Sequence, residues 1–129
     1  REEVGLHLED ALRPNNLPIY SGSDTLASVE QQLEEAKSPA FFLRMQDGSW
    51  FVMTRTELRA AVASHGPDVP VVRVIPTERA PNLFPDMPID SAIPHLARWS
   101  ILPIQNRAAR GTLEGTVTLA EILARYQRL

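Results

Sequence analysis

GTLEGTVTLAEILARY, residues 111–126, reads as a turn, a short strand, a cap and a helix. Arg110-Gly111 supplies the bend. Leu113 to Val117 is the strand, with Gly115 placed where a second backbone or a ligand can come close. Thr118 stands at the helix N-cap, and Glu121 follows three residues later. That spacing is a capping box: the hydroxyl takes the third amide of the helix, and the carboxylate reaches back to the cap amide. Ile122, Leu123 and Tyr126 then form a helical apolar stripe. The same cassette stands about sixty residues earlier in DGSWFVMTRTELRAAV. There Asp47-Gly48 is the turn, Trp50 to Met53 the strand, Thr54 the cap, Glu57 the acid, and Leu58, Ala61 and Val62 the stripe. A cassette used twice in a short chain implies an internal duplication.

The chain has 129 residues, 43% of them hydrophobic, enough for one core or for two small halves. No apolar run is long enough to span a membrane. The chain begins Arg-Glu-Glu without an initiator Met, so it is expected to be cut from something longer. With no cysteine, disulfides and thiolate chemistry are excluded. A net charge of −3, with 12 of the 13 basic residues being scattered arginines, argues against a nucleic-acid partner.

In chain order, Leu6 to Leu12 is a short amphipathic turn or helix that Pro14 stops. Leu17 to Tyr20 is an extended piece, and Pro18 places it at a sheet edge. Asp24 or Ser23 caps a helix, TLASVEQQLEEAK, with Leu26, Val29, Leu33 and Ala36 on one face. Ala40 to Met45 and Trp50 to Met53 make a hairpin, and a helix from Glu57 to about Ser64 closes the first half. Residues 65–70 read as a linker. Val71 to Ile75, VVRVI, reads as a strand. IDSAIPHLARW then reads as a helix with Ile89, Ile93 and Leu96 inward, kinked or delayed by Pro94. Ile101 to Ile104 is the strand matching Phe41 to Leu43. Each half thus reads strand–helix–strand–strand–helix, and neither buries enough apolar surface alone.

These residues resemble a tandem CBS domain pair. Leu102-Pro103-Ile104 followed by Gly115-Thr116-Val117-Thr118 and Glu121 carries the likeness in the second half. Phe41-Phe42-Leu43 followed by Phe51-Val52-Met53-Thr54 and Glu57 carries it in the first, without the Pro or the Gly. Leu8 to Pro14, LEDALRP, looks like the family's lead-in to the first half. The resemblance implies an α+β (α/β) fold of two β-α-β-β-α halves related by a pseudo-twofold with helices outside. The expected ranges are 6–64 for the first, degenerate motif and 71–129 for the second. The second half also looks like the C-terminal cytoplasmic tail of bacterial ClC-type chloride channels and transporters. That implies a non-enzymatic regulatory module in the cytoplasm under an inner-membrane parent, partnered by a homodimeric copy and the parent's transmembrane domain.

The family often binds adenine nucleotides, so ATP, ADP or AMP is implied as a regulatory ligand, with no cofactor required. Carried onto this sequence, the phosphate roles fall to Thr54 and Thr118 with Arg55 as charge partner. The ribose roles fall to Glu57 and Glu121. Pro103, Ile104 and Ile75 line one base pocket with their neighbours, and Asn15 to Leu17 the other. Two departures weigh against this: Glu replaces Asp at both ribose positions, and Phe51 fills the place of the first Gly. Thr-x-x-Glu as a capping box also needs no ligand. A ligand-free dimerisation module, or a regulatory segment of another transporter or a soluble enzyme, therefore stands beside the nucleotide reading. His7, His65 and His95 lack ligand spacing. Asp86 and Asp90 near His95 cap and decorate a helix rather than forming a catalytic cluster.

Overall fold

The computed structural model describes residues 5–109 and 111–128. Arg110, read above as half of a bend, lies outside the described residues. The chain divides into two compact units that interleave in sequence: one is residues 16–79, and the other joins residues 5–15 to 80–128.

In the contiguous unit, β1 (Ile19–Ser21), β2 (Ala40–Arg44) and β3 (Trp50–Thr54) form a sheet in that order. β1 runs parallel to β2, and β2 antiparallel to β3. Pro18 precedes the edge strand and gives its carbonyl to the Phe42 amide at 2.9 Å. α1 (Leu26–Ala36) is capped by Thr25, whose hydroxyl accepts from the Ser28 amide, and not by Asp24 or Ser23. Leu26, Val29 and Leu33 are buried, while Ala36 is exposed in the last turn before Lys37 takes a left-handed conformation. α2 (Arg55–His65) follows β3 directly and buries Leu58 and Ala61.

VVRVI is not a strand. Pro70 and Pro76 bracket it, and Val71–Arg73 makes one 3-10 turn. Its amides turn back onto the β1–α1 connector. Val71 N donates to Asp24 O and Val72 N to Gly22 O, each at 2.9 Å, and Leu26 N returns a bond to Val69 O at 2.9 Å.

The second unit repeats this plan in reduced form. Its first strand is a single parallel bridge, Leu83 to Ile104. The expected helix is two 3-10 turns, Ile89–Ser91 and Ile93–His95, because Pro94 has no amide to extend an α-helix. Ile89 and Ala92 are buried, but Ile93 is 46% exposed, not inward. β4 (Leu102–Gln105) and β5 (Leu113–Val117) pair antiparallel, with a register shift between Ile104 and Gln105. α3 (Leu119–Tyr126) buries only Ile122 of its expected stripe; Leu123 and Tyr126 are exposed, as is Leu119.

The segment that completes this unit comes from the start of the chain. Leu8–Ala11 is a 3-10 turn. Leu8 N donates to Met87 O and Ile89 N to Leu6 O at 2.9 Å, and Glu9 N to Pro85 O at 3.0 Å. These are the same three bonds that residues 69–72 make in the contiguous unit. LEDALRP, expected to lead into the first half, is thus built into the unit formed by the second, and residues 71–79 belong to the first. The expected ranges 6–64 and 71–129 differ from the compact units for this reason.

The lead segment also runs beside β5. Arg13 N donates to Thr116 O at 2.9 Å and Thr116 N to Arg13 O at 2.8 Å. A Cβ at Gly115 would collide with the Arg13 carbonyl oxygen and crowd the Leu12 side chain. Gly115 therefore admits a second backbone. Gly115→Ala is expected to lower stability by about 3 kcal/mol, since a main-chain carbonyl cannot step aside. Denaturant unfolding checks this, and a change within experimental error would contradict the close approach.

Candidate functional site

The two cassettes fold alike and end differently. At the first, Thr54 caps α2 with a complete box. Glu57 N donates to Thr54 Oγ1 at 3.1 Å, and Thr54 N donates to Glu57 Oε1 at 2.9 Å. The Thr54 hydroxyl also donates to Glu57 Oε1 at 3.1 Å. Both side chains are thereby engaged with each other, which is the ligand-free geometry of a cap.

Arg55 is turned away from a phosphate role. Its guanidinium donates to Ser38 O at 2.9 Å and to Leu33 O at 3.4 Å, and it lies 3.5 Å from Glu34 Oε2. Those carbonyls are at and just past the C-terminus of α1, where a cation meets both orphan acceptors and the negative end of the helix dipole. Arg55 thus staples the end of α1 to the start of α2.

At the second cassette only half of the box is made. Glu121 N donates to Thr118 Oγ1 at 3.4 Å, and the Thr118 hydroxyl donates to Glu121 Oε1. The other carboxylate oxygen accepts from Arg13 Nη1 at 3.1 Å. Arg13 is 67% exposed and Glu121 22%. The Thr118 hydrogen bond has the largest effect on the Glu121 carboxyl; burial opposes it, Arg13 adds to it, and the carboxyl is held below its ordinary range. No local sequence pattern points to Arg13. It is 108 positions from Glu121, and only the return of the lead segment beside β5 brings the pair together.

Of the expected base-pocket residues, all of β4 is buried. Ile104 is fully buried in the core cluster with Leu8, Ile89 and Val117, so it packs the unit's interior. Pro103 faces Thr116 in the β4–β5 register. Ile75 belongs to the other unit, half-buried beside its core, and lines a cleft near the β2–β3 turn. His7 donates its backbone amide to Asp10, and His95 packs edge-on to Trp99 at 5.9 Å. Asp86 pairs with Arg107 at 2.7 Å, and Asp90 accepts from the Tyr126 hydroxyl at 3.1 Å. Those two acids are thus engaged structurally.

No family model and no curated protein matches the sequence. Solved structures match the fold. CbpB in complex with c-di-AMP is 12% identical, with 95% of this chain and 85% of that one covered, at a TM-score of 0.68. A CBS domain-containing protein from Kribbella flavida is 14% identical, covering 95% and 99%, at 0.65. The CBS domain pair of MJ0100 in complex with 5'-methylthioadenosine and S-adenosyl-L-methionine is 16% identical, covering 96% and 98%, at 0.61. At these identities the likeness carries the fold alone, and that fold is the CBS pair.

Two outcomes are expected from the cassette geometry. Thr54→Ala removes a cap and lowers stability by about 1 kcal/mol in denaturant unfolding. The second concerns pH. A carboxylate whose folded pKa is depressed contributes stability above its unfolded pKa and loses it as pH falls through the folded value. Wild type is therefore expected to melt above Glu121→Gln at neutral pH. The gap should close as the pH falls below the ordinary carboxylate range. A gap independent of pH, read by thermal melts, would contradict a Glu121 carboxylate held by Thr118 and Arg13.

Proposed function

We propose that this chain is a non-enzymatic regulatory module that responds to an adenosine-containing ligand at its second cassette, while its first cassette is structural. The observation that carries the reading is the asymmetry between them. Thr54 and Glu57 close a full capping box, whereas Glu121 leaves the Thr118 backbone amide and meets an exposed arginine instead. The second cassette thus offers a hydroxyl, a carboxylate and a guanidinium at the start of α3, chemistry suited to a ribose and a phosphate. Support comes also from two proteins of the same fold, one bound to c-di-AMP and one to methylthioadenosine and S-adenosylmethionine. ATP, ADP and AMP are the ligands proposed here.

The test is isothermal titration with those three nucleotides on wild type, Glu121→Ala and Glu57→Ala. Binding lost in Glu121→Ala and kept in Glu57→Ala supports the proposal. Absence of both heat and any rise in melting temperature at millimolar nucleotide overturns it, because a ligand of the folded state must stabilise it.

A second reading, a ligand-free assembly module, is favoured by one specific observation. Leu119, Leu123 and Tyr126 are 49%, 51% and 42% exposed, at helical spacing on α3. An apolar helix face of this kind suits a second copy of the chain. Sedimentation at high micromolar concentration is expected to give a dimer that Leu123→Glu weakens; a monomer throughout contradicts it. In the parent proposed here, a ClC-type chloride channel or transporter, the module sits in the cytoplasm beneath the transmembrane domain. The coding sequence upstream of Arg1 tests that: hydrophobic spans support it, and a catalytic domain overturns it.

A further inference from the structure

The two units also differ at the turn end of their sheets. In the second unit this corner is filled. Arg107, from the β4–β5 loop, lies 4.2 Å from the centre of the Phe84 ring and pairs with Asp86 at 2.7 Å. The bridges Tyr20–Leu43 and Leu83–Ile104 put Ser21 at the position of Phe84 in the contiguous unit. The hairpin registers likewise put Phe51 at the position of Gly115. Each exchange opens the contiguous unit. Ser21 carries a small hydroxyl side chain where the second unit has the Phe84 ring. The Phe51 ring stands where Gly115 lets a second backbone in. Pro76, in the position of Arg13, has no amide with which to pair. In the segment after it, the Thr77 hydroxyl donates to Val52 O at 3.4 Å.

The result is a cleft of about 910 Å³ whose lining includes Ser21, Phe51, Ile75 and Thr77. That volume lies within the range of small-molecule sites. Its apolar side is Phe51, Val72 and Ile75, and its polar side carries Arg44, Arg79 and Asp47. Arg44 and Arg79 thus bring two guanidinium groups to the lining beside Asp47. Arg79 and Asp47 are 3.5 Å apart and more than half exposed, a weak pair that a ligand can displace at little cost. The first amides of α1 are not available to a ligand, because Val69, Pro67 and Thr25 already accept from them. Recognition here falls to side chains.

We propose that this cleft binds a small molecule that joins a flat apolar ring to a phosphate or carboxylate, the ring against Phe51 and Ile75 and the anion at Arg44 and Arg79. A guanidinium suits such an anion because its fork can give two parallel hydrogen bonds. The site is independent of the adenosine-ligand reading. Thr54 stands at the far end of β3, three residue steps or roughly 10 Å beyond Phe51, and Thr118 belongs to the other unit.

The test is an amide NMR titration of the full chain with phenyl phosphate, with inorganic phosphate and phenol as the separated halves of the probe. Phenyl phosphate is expected to shift Gly22, Ser49 and Thr77 and to bind about tenfold more tightly than either half. Arg79→Gln should weaken it about tenfold. Asp47→Asn, which frees Arg79 while keeping the amide-accepting oxygen for Ser49, should tighten it. Ser21→Phe, which copies the filled corner, should abolish it, with a thermal melt to show that the variant is folded. Shifts confined to Thr118 and Glu121, no saturation at millimolar probe, or equal affinity in wild type and Arg79→Gln would overturn the proposal.

Discussion

The connector between the first strand and the following helix of each unit cannot satisfy its own backbone. In both units a short segment from elsewhere in the chain does so. Leu6 and Leu8 bond Ile89 and Met87 in one unit, and Val69 and Val71 bond Leu26 and Asp24 in the other. Buried amides and carbonyls left without partners would each cost on the order of a hydrogen bond or more. The interleaved order of the chain follows from this requirement. The 3-10 turns Leu8–Ala11 and Val71–Arg73 are where each segment seats itself, with Leu8 and Val71 fully buried.

From that requirement the two cassettes diverge. In one unit the lead segment continues as far as β5, because Gly115 lets Arg13 approach. Its side chain then reaches Glu121 and removes the carboxylate from a plain capping box. In the other, Phe51 and Pro76 keep the equivalent segment from pairing with β3. Thr54 and Glu57 are left to cap each other, and a cleft remains at the turn end of the strands. The Gly-to-Phe and Arg-to-Pro differences between repeats thus bear on both ends of a sheet.

Much of this was legible in the sequence. Capping spacing located α2 and α3 at their N-termini, and short apolar runs bounded by turns located both hairpins, because these signals are local. Pro18 marked an edge strand correctly. What failed was long-range or marginal. VVRVI has strand composition, yet its flanking prolines and its bonds to the β1–α1 connector hold it in a turn. Ile93 and Leu123 fit a helical stripe but face solvent, because each helix or turn buries only a narrow seam. Thr25 capped α1 where Asp24 had equal local claim. The Arg13–Glu121 contact and the cleft depend on which segment completes which unit, and no local pattern encodes that.

The most direct measurement is hydrogen exchange of individual amides in the intact chain. The account predicts that Leu8, Ile89, Arg13 and Thr116 exchange as slowly as the β4–β5 ladder, since their bonds belong to the same cooperative unit. Leu8 and Arg13 exchanging at the rate of open chain, while β4 and β5 stay protected, would show that the lead segment is not part of that unit and would contradict the interleaved fold.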